Sequence, residues 1–152
     1  MKKLNIIFFS FFILFLTSCS QDIVEKKTIL KEKKLDLQVL EAYEEGLTAL
    51  EKGDVLFAAK KFNEAELLYP QSDWAPRSAL MASYAFYLQN YYSEALANLE
   101  RFIKTYPSNK NIPYAHYLIA MCYYETIEGE MKDSAPIIKA KEKFVYISEH
   151  FS

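Results

Sequence analysis

Tyr69-Pro70 returns 37 residues later as Tyr106-Pro107, and the repetition extends well beyond the dipeptide. At the same displacement Ala58 falls on Ala95, Phe62 on Leu99, Ala65 on Phe102 and Pro76 on Pro113. Small, aromatic and aliphatic residues recurring at this period describe a pair of antiparallel helices. Such a pair cannot bury its apolar face alone and must stack on copies of itself. In the first unit Gly46 stands where the first helix lets its partner approach closely, and Ala58 is the small residue at the crossing point of the second. Gly53-Asp54 supplies the turn between them, echoed by Asn90-Tyr91. Pro70 ends the pair, because it has no amide donor and disfavours helical geometry at Tyr69. Larger side chains at the crossing points would hold the helices apart and leave voids costing about 2–5 kcal/mol.

This is the signature of tetratricopeptide repeats, and it predicts an all-α solenoid of helix pairs over about residues 37–70, 75–107 and 113–152. With 3 Gly and 5 Pro the chain has little turn chemistry for a sheet. The third unit opens at Pro113, with Tyr114 to Tyr124 as its first helix. Its second helix is displaced by 45, placing Ala140, Phe144 and Ile147 where the second unit has Ala95, Leu99 and Phe102. The eight extra residues fall within Thr126 to Pro136, an expected loop at one edge. Phe151-Ser152 aligns with Tyr106-Pro107 and no polar capping helix follows, the pattern of a sequence truncated after three repeats.

The start of the chain fixes its compartment. Lys2 and Lys3 precede an apolar run from Leu4 to Leu16, long enough for a signal core and too short for a membrane-spanning helix, which needs about 20 residues. Leu16-Thr17-Ser18-Cys19 then looks like a lipobox, a bulky residue, two small ones and an acceptor thiol. A secretory signal with an incidental cysteine is the rival reading. On the lipobox reading residues 1–18 are a removed leader, Cys19 carries covalent lipid as the sole expected cofactor, and Ser20 favours the outer membrane over the inner. Residues 19–36 read as a lipidated flexible tether, rich in lysine (Lys26, Lys27, Lys31, Lys33, Lys34). The mature chain keeps 134 of 152 residues, one ordinary domain, with 16 basic against 20 acidic side chains, so no general attraction to nucleic acid follows. With Cys19 lipidated, Cys122 is a lone thiol and no disulfide framework exists.

First helices of such repeats line the inner face of the solenoid. Alignment on the two prolines predicts that Leu40, Tyr43, Leu47 and Leu50 face inward in the first unit, Arg77, Leu80, Tyr84 and Tyr87 in the second, and Tyr114, Tyr117, Met121 and Tyr124 in the third. The six tyrosines offer flat aromatic contact with hydroxyls for backbone groups, suited to an extended peptide, and Arg77 suits a terminal carboxylate. The alternative for about half of these rings is packing between helices. His116 reads as a satisfied core histidine, and Cys122, six residues on and ~120° around the helix, cannot join it in a metal site or catalytic pair. Glu41, Glu44, Glu45, Glu64 and Glu66 read as solvated faces. No paired carboxylates, phosphate loop or metalloprotease motif is present, so the expectation is a non-enzymatic protein binding no metal.

Beyond single repeats, the lipobox, the tether and several longer runs resemble the BamD family of outer-membrane assembly lipoproteins. Those runs are Tyr69-Pro70-Gln71-Ser72 with Trp74-Ala75, Tyr91-Tyr92-Ser93-Glu94-Ala95, Arg101-Phe102-Ile103-Lys104-Thr105-Tyr106-Pro107, Tyr114-Ala115-His116-Tyr117-Leu118 and the insertion containing Asp133. The resemblance implies a lipid-anchored solenoid of five repeats at the periplasmic face of the cell outer membrane. It also implies binding to unfolded outer-membrane β-barrel proteins, to the barrel insertase BamA and to other assembly-machinery lipoproteins. Three repeats instead of five put the BamA-binding half in question. A different periplasmic repeat lipoprotein, such as a pilotin-like secretin chaperone, is the second reading.

Overall fold

The computed structural model describes residues 21–127 and 134–151. The leader, Cys19 and most of the insertion between the last two helices lie outside these residues. The chain divides into two units, residues 1–36 and 37–152. Among the described residues there are six helices and no strand. They are α1 Gln21–Glu51, α2 Val55–Leu68, α3 Trp74–Leu88, α4 Tyr92–Thr105, α5 Ile112–Glu125 and α6 Ala135–His150. No helix among the described residues is long and apolar enough to cross a membrane.

Residues 21–36, read from the sequence as a flexible tether, are helical. The physical reason is local. From Gln21 to Glu45 there is no glycine or proline, and leucine, lysine and glutamate all favour helix.

The two turns that close α1 and α3 are copies of each other. Gly53 and Asn90 both take left-handed backbone, with φ of 78° and 63°. In each, the next amide reaches back to the carbonyl five residues earlier, Asp54 to Ala49 at 2.9 Å and Tyr91 to Phe86 at 3.0 Å. This is a Schellman closure, which satisfies carbonyls the helix end leaves open. Glycine takes this conformation freely, and asparagine is among the side chains that tolerate it. Asp54 then caps α2, its carboxylate accepting from the Phe57 amide at 3.2 Å. After α2 and α4, the Tyr69 and Tyr106 carbonyls accept from the amides of Ser72 and Asn109, each at 3.0 Å, so the Tyr-Pro corners also match.

Packing follows the repeat. The crossing-point alanines Ala58, Ala95 and Ala140 are buried, as are Phe62, Leu99, Ala65 and Phe102. Removing each of Phe62, Phe102 and Leu99 from water contributes about 2–3 kcal/mol. Val39, Ala42 and Ala65 form one small core with Tyr43, Tyr69 and Trp74 against it. Ala49, Val55, Ala58, Phe62, Ala82 and Ala85 form the next, and Leu80, Leu99, Phe102, Ile112, Leu118, Ile119 and Cys122 anchor a third. At Gly46 an added Cβ would lie 2.7 Å from the Phe62 ring, so the close approach of α1 and α2 requires glycine there.

The third pair departs from the pattern. Phe144, expected to repeat the buried Leu99, is 38 % exposed, as Ile137, Ile138 and Val145 are in larger measure. Helix α6 packs on α5, and no other described helix covers its far side, so only Ala140 is buried along it.

Candidate peptide-binding surface

Helices α3 and α5 each present a pair of tyrosines three residues apart, the spacing that places neighbours on one face. Tyr84 and Tyr87 stack at 6.4 Å between centroids, 27° from parallel, and Tyr114 and Tyr117 at 6.2 Å and 23°. Tyr92 from α4 leans on Tyr87 at 6.0 Å, and Phe144 from α6 meets Tyr117 edge-on at 6.3 Å. The pairs are close enough to feel one another electrically. Burial first, then Tyr84 and Tyr117, raise the Tyr114 phenol above its ordinary value. Tyr87 is raised by burial, then by the Glu125 carboxylate, with Tyr92 and Tyr117 among the smaller causes. Raised in this way, the Tyr87 and Tyr114 hydroxyls keep their protons at neutral pH, each able to donate and accept a hydrogen bond.

The feet of this surface are fixed. Tyr84, Tyr87 and Tyr92 are half-buried against the core of Leu99, Phe102, Leu118 and Ile119, whereas Tyr114 and Tyr117 keep 43 % and 44 % of their area in water. Rings held at one edge and wet at the other suit a ligand of mixed polarity.

The other candidates separate from this group. Tyr43, expected to face inward, is wedged in packing, with its ring 5.2 Å from Phe62 and 5.1 Å from Trp74. The cause is Gly46 one turn on, which draws α2 in until Phe62 reaches the Tyr43 ring. Leu80 likewise lies in the core and not on a surface. Arg77 is exposed and rests its guanidinium over Trp74 at 5.3 Å, with no ion pair among the described residues. Tyr124 is exposed and makes no ring contact among the described residues. Open depressions among the described residues lie elsewhere. One of about 730 Å³ is lined by Glu41, Glu44, Glu45, Asp54 and Phe57, and one of about 630 Å³ by Leu56, Lys60, Leu67, Leu68 and Phe86.

Two sequence expectations are overturned. Glu66 is not on a solvated face. It is buried, accepting two hydrogen bonds from the Arg101 guanidinium at 2.7 and 2.8 Å and one from the Tyr106 hydroxyl at 2.9 Å. Burial and that carboxylate push the Tyr106 phenol up to about 12. Helical spacing alone put Glu66 beside Glu64 on the outside; the Arg101 and Tyr106 side chains, reaching over from the next repeat, close on it. His116 is in the core as expected, but its Nδ1 is buried with no hydrogen-bond partner among the described residues. It packs instead against the rings of Tyr146 at 4.8 Å and Phe151 at 5.9 Å. Burial also pushes the Cys122 thiol up to about 11, an unreactive sulfur in the core. Tyr92, Phe144 and Glu125 escaped the sequence reading because they lie outside the first-helix stripe or at its end.

The family described as YfiO, outer membrane lipoprotein, matches residues 35–152, the whole of the repeat region. The chain belongs to this family. It is 39 % identical over 110 residues to the outer membrane protein assembly factor BamD of Caulobacter vibrioides, and 33 % identical over 102 residues to that of Rickettsia prowazekii. These alignments cover 72 % and 67 % of this chain but 35 % and 41 % of the relatives, so the chain spans well under half of their length. The family match begins at the helical repeats and leaves the leader and Cys19 outside it.

Proposed function

We propose that this chain is a non-catalytic docking module of outer-membrane protein assembly. In this reading it is held at the periplasmic face of the outer membrane by lipid on Cys19, and it captures extended segments of unfolded β-barrel proteins on the tyrosine surface of α3 and α5. The observation that carries the reading is the two stacked pairs, Tyr84–Tyr87 on α3 and Tyr114–Tyr117 on α5, near enough for Tyr84 to act on the Tyr114 phenol and Tyr117 on that of Tyr87, in a family whose relatives are named as assembly factors. Rings already fixed by packing lose little freedom when a ligand arrives, so less ordering entropy opposes capture. Aromatic faces take apolar side chains while the hydroxyls satisfy the backbone of a strand that has no sheet yet.

Handing the segment to BamA, with other assembly lipoproteins alongside, completes the proposed role. A photo-crosslinking residue in place of Tyr117 in the membrane-anchored protein should capture unfolded barrel proteins, with BamA co-purifying. Adducts formed equally well from an exposed site outside this tyrosine group, such as Leu67, would remove the tyrosine surface from the role.

A further inference from the structure

We propose that Glu125 makes the tyrosine surface selective for an extended segment carrying a lysine or arginine beside its alternating apolar side chains. The inference deepens the docking role proposed above and rests on it.

Glu125 is the last residue of α5, 11 residues beyond Tyr114, which is three helical turns and brings it back to the same stripe to within about 20°. It is exposed and has no ion pair among the described residues, where the paired acids are Glu45, Glu64 and Glu66. Its placement is locally unfavourable. A carboxylate at a helix C-terminus opposes the negative end of the dipole, and the last turn of α5 holds no basic residue to offset it. A side chain that breaks a local rule, with no compensating cation among the described residues, suggests an external partner. Glu125 also contributes to raising the phenols of both Tyr87 and Tyr92, so its charge reaches rings of α3 and α4.

The rings define what lies beside that charge. Their spacings of 6.4 and 6.2 Å come close to the ~6.7 Å between alternate side chains on one face of an extended strand. Two successive same-face side chains can therefore rest on one tyrosine pair. A guanidinium or ammonium flanking them would meet an aromatic face and the Glu125 carboxylate together.

The test uses the full chain and two fluorescent peptides of alternating phenylalanine and serine, identical except for a flanking arginine in one and glutamate in the other. Fluorescence anisotropy should show the arginine peptide binding about three-fold tighter, the scale of an exposed ion pair. Glu125→Gln should equalise the two and Glu125→Lys should invert the order, while Tyr117→Ala weakens both alike. If both peptides bind through the tyrosines with a preference unchanged in both Glu125 variants, the selectivity is overturned and the docking role stands. If neither peptide binds, the docking role fails and takes this inference with it. If sedimentation shows a dimer that Tyr117→Ala dissociates, the surface belongs to a second copy of the chain, which also overturns the proposal.

Discussion

Arg101 closes on Glu66 through two parallel hydrogen bonds, Nη1 to Oε1 at 2.7 Å and Nη2 to Oε2 at 2.8 Å, and so ties α4 to α2 across the boundary between repeats. Tyr106, from the recurring Tyr-Pro corner, donates to the same Oε1. The strut is not repeated further along. At the displacement of 45, Arg101 corresponds to Tyr146 and Tyr106 to Phe151, and these two rings pack on His116 instead. The two partners are unequally placed, with Glu66 at 7 % side-chain exposure and Arg101 at 43 %.

That asymmetry predicts unequal costs. Arg101→Ala leaves a buried carboxylate with the Tyr106 hydroxyl alone and should lower stability by about 2–4 kcal/mol. Glu66→Gln keeps an acceptor for Tyr106 and lets Arg101 turn to water, and should cost about 1 kcal/mol. Urea unfolding followed by circular dichroism measures both, and the reverse order would show that the buried carboxylate is not the sensitive partner.

Gly46→Ala should destabilise the protein although alanine is the better helix former. The helix gains about 1 kcal/mol from the substitution. The new Cβ would meet the fully buried Phe62 ring at 2.7 Å, an overpacking that costs about 1–3 kcal/mol. The net loss should be reversed by adding Phe62→Leu, which vacates the contested volume. A melting temperature that rises with Gly46→Ala alone would contradict the close approach of α1 and α2.

Acid should weaken the third helix pair through His116. Burial, then Lys143 and His150, hold its imidazole below the ordinary histidine range. In the unfolded chain the ring takes its proton near pH 6.5. The folded state binds that proton less readily, so this contribution to stability is whole above about pH 6.5 and declines as pH falls toward the folded value. Melting temperatures between about pH 7.5 and 5.5 should fall less in His116→Phe than in the natural protein. Parallel curves would show that another group carries the acid sensitivity.

Tyr43 and Tyr124, both expected on the inner face from the linear pattern, should behave oppositely. Tyr43→Ala removes a ring wedged between Phe62 and Trp74 and should cost about 2–3 kcal/mol. Tyr124→Ala removes an exposed ring and should change stability by less than about 0.5 kcal/mol. Thermal unfolding of the two variants side by side decides this, and equal losses would place both rings in the same environment.

What the sequence by itself determined is the part governed by short-range rules. Gly53 and Asn90 mark two copies of one helix closure because few residues accept left-handed backbone. Ala58, Ala95 and Ala140 mark the crossings because only a small side chain fits between packed helices. The stacked pairs Tyr84–Tyr87 and Tyr114–Tyr117 were likewise legible, since residues three apart share a helix face whatever surrounds them. What only the tertiary structure decided is the fate of residues whose surroundings come from a different repeat. Glu66 is met by the Arg101 and Tyr106 side chains, 35 and 40 residues away, and Tyr43 is held between Phe62 and the Trp74 ring at the start of α3. A 3.6-residue period reports which face a side chain occupies, and burial depends on what the rest of the chain lays over that face.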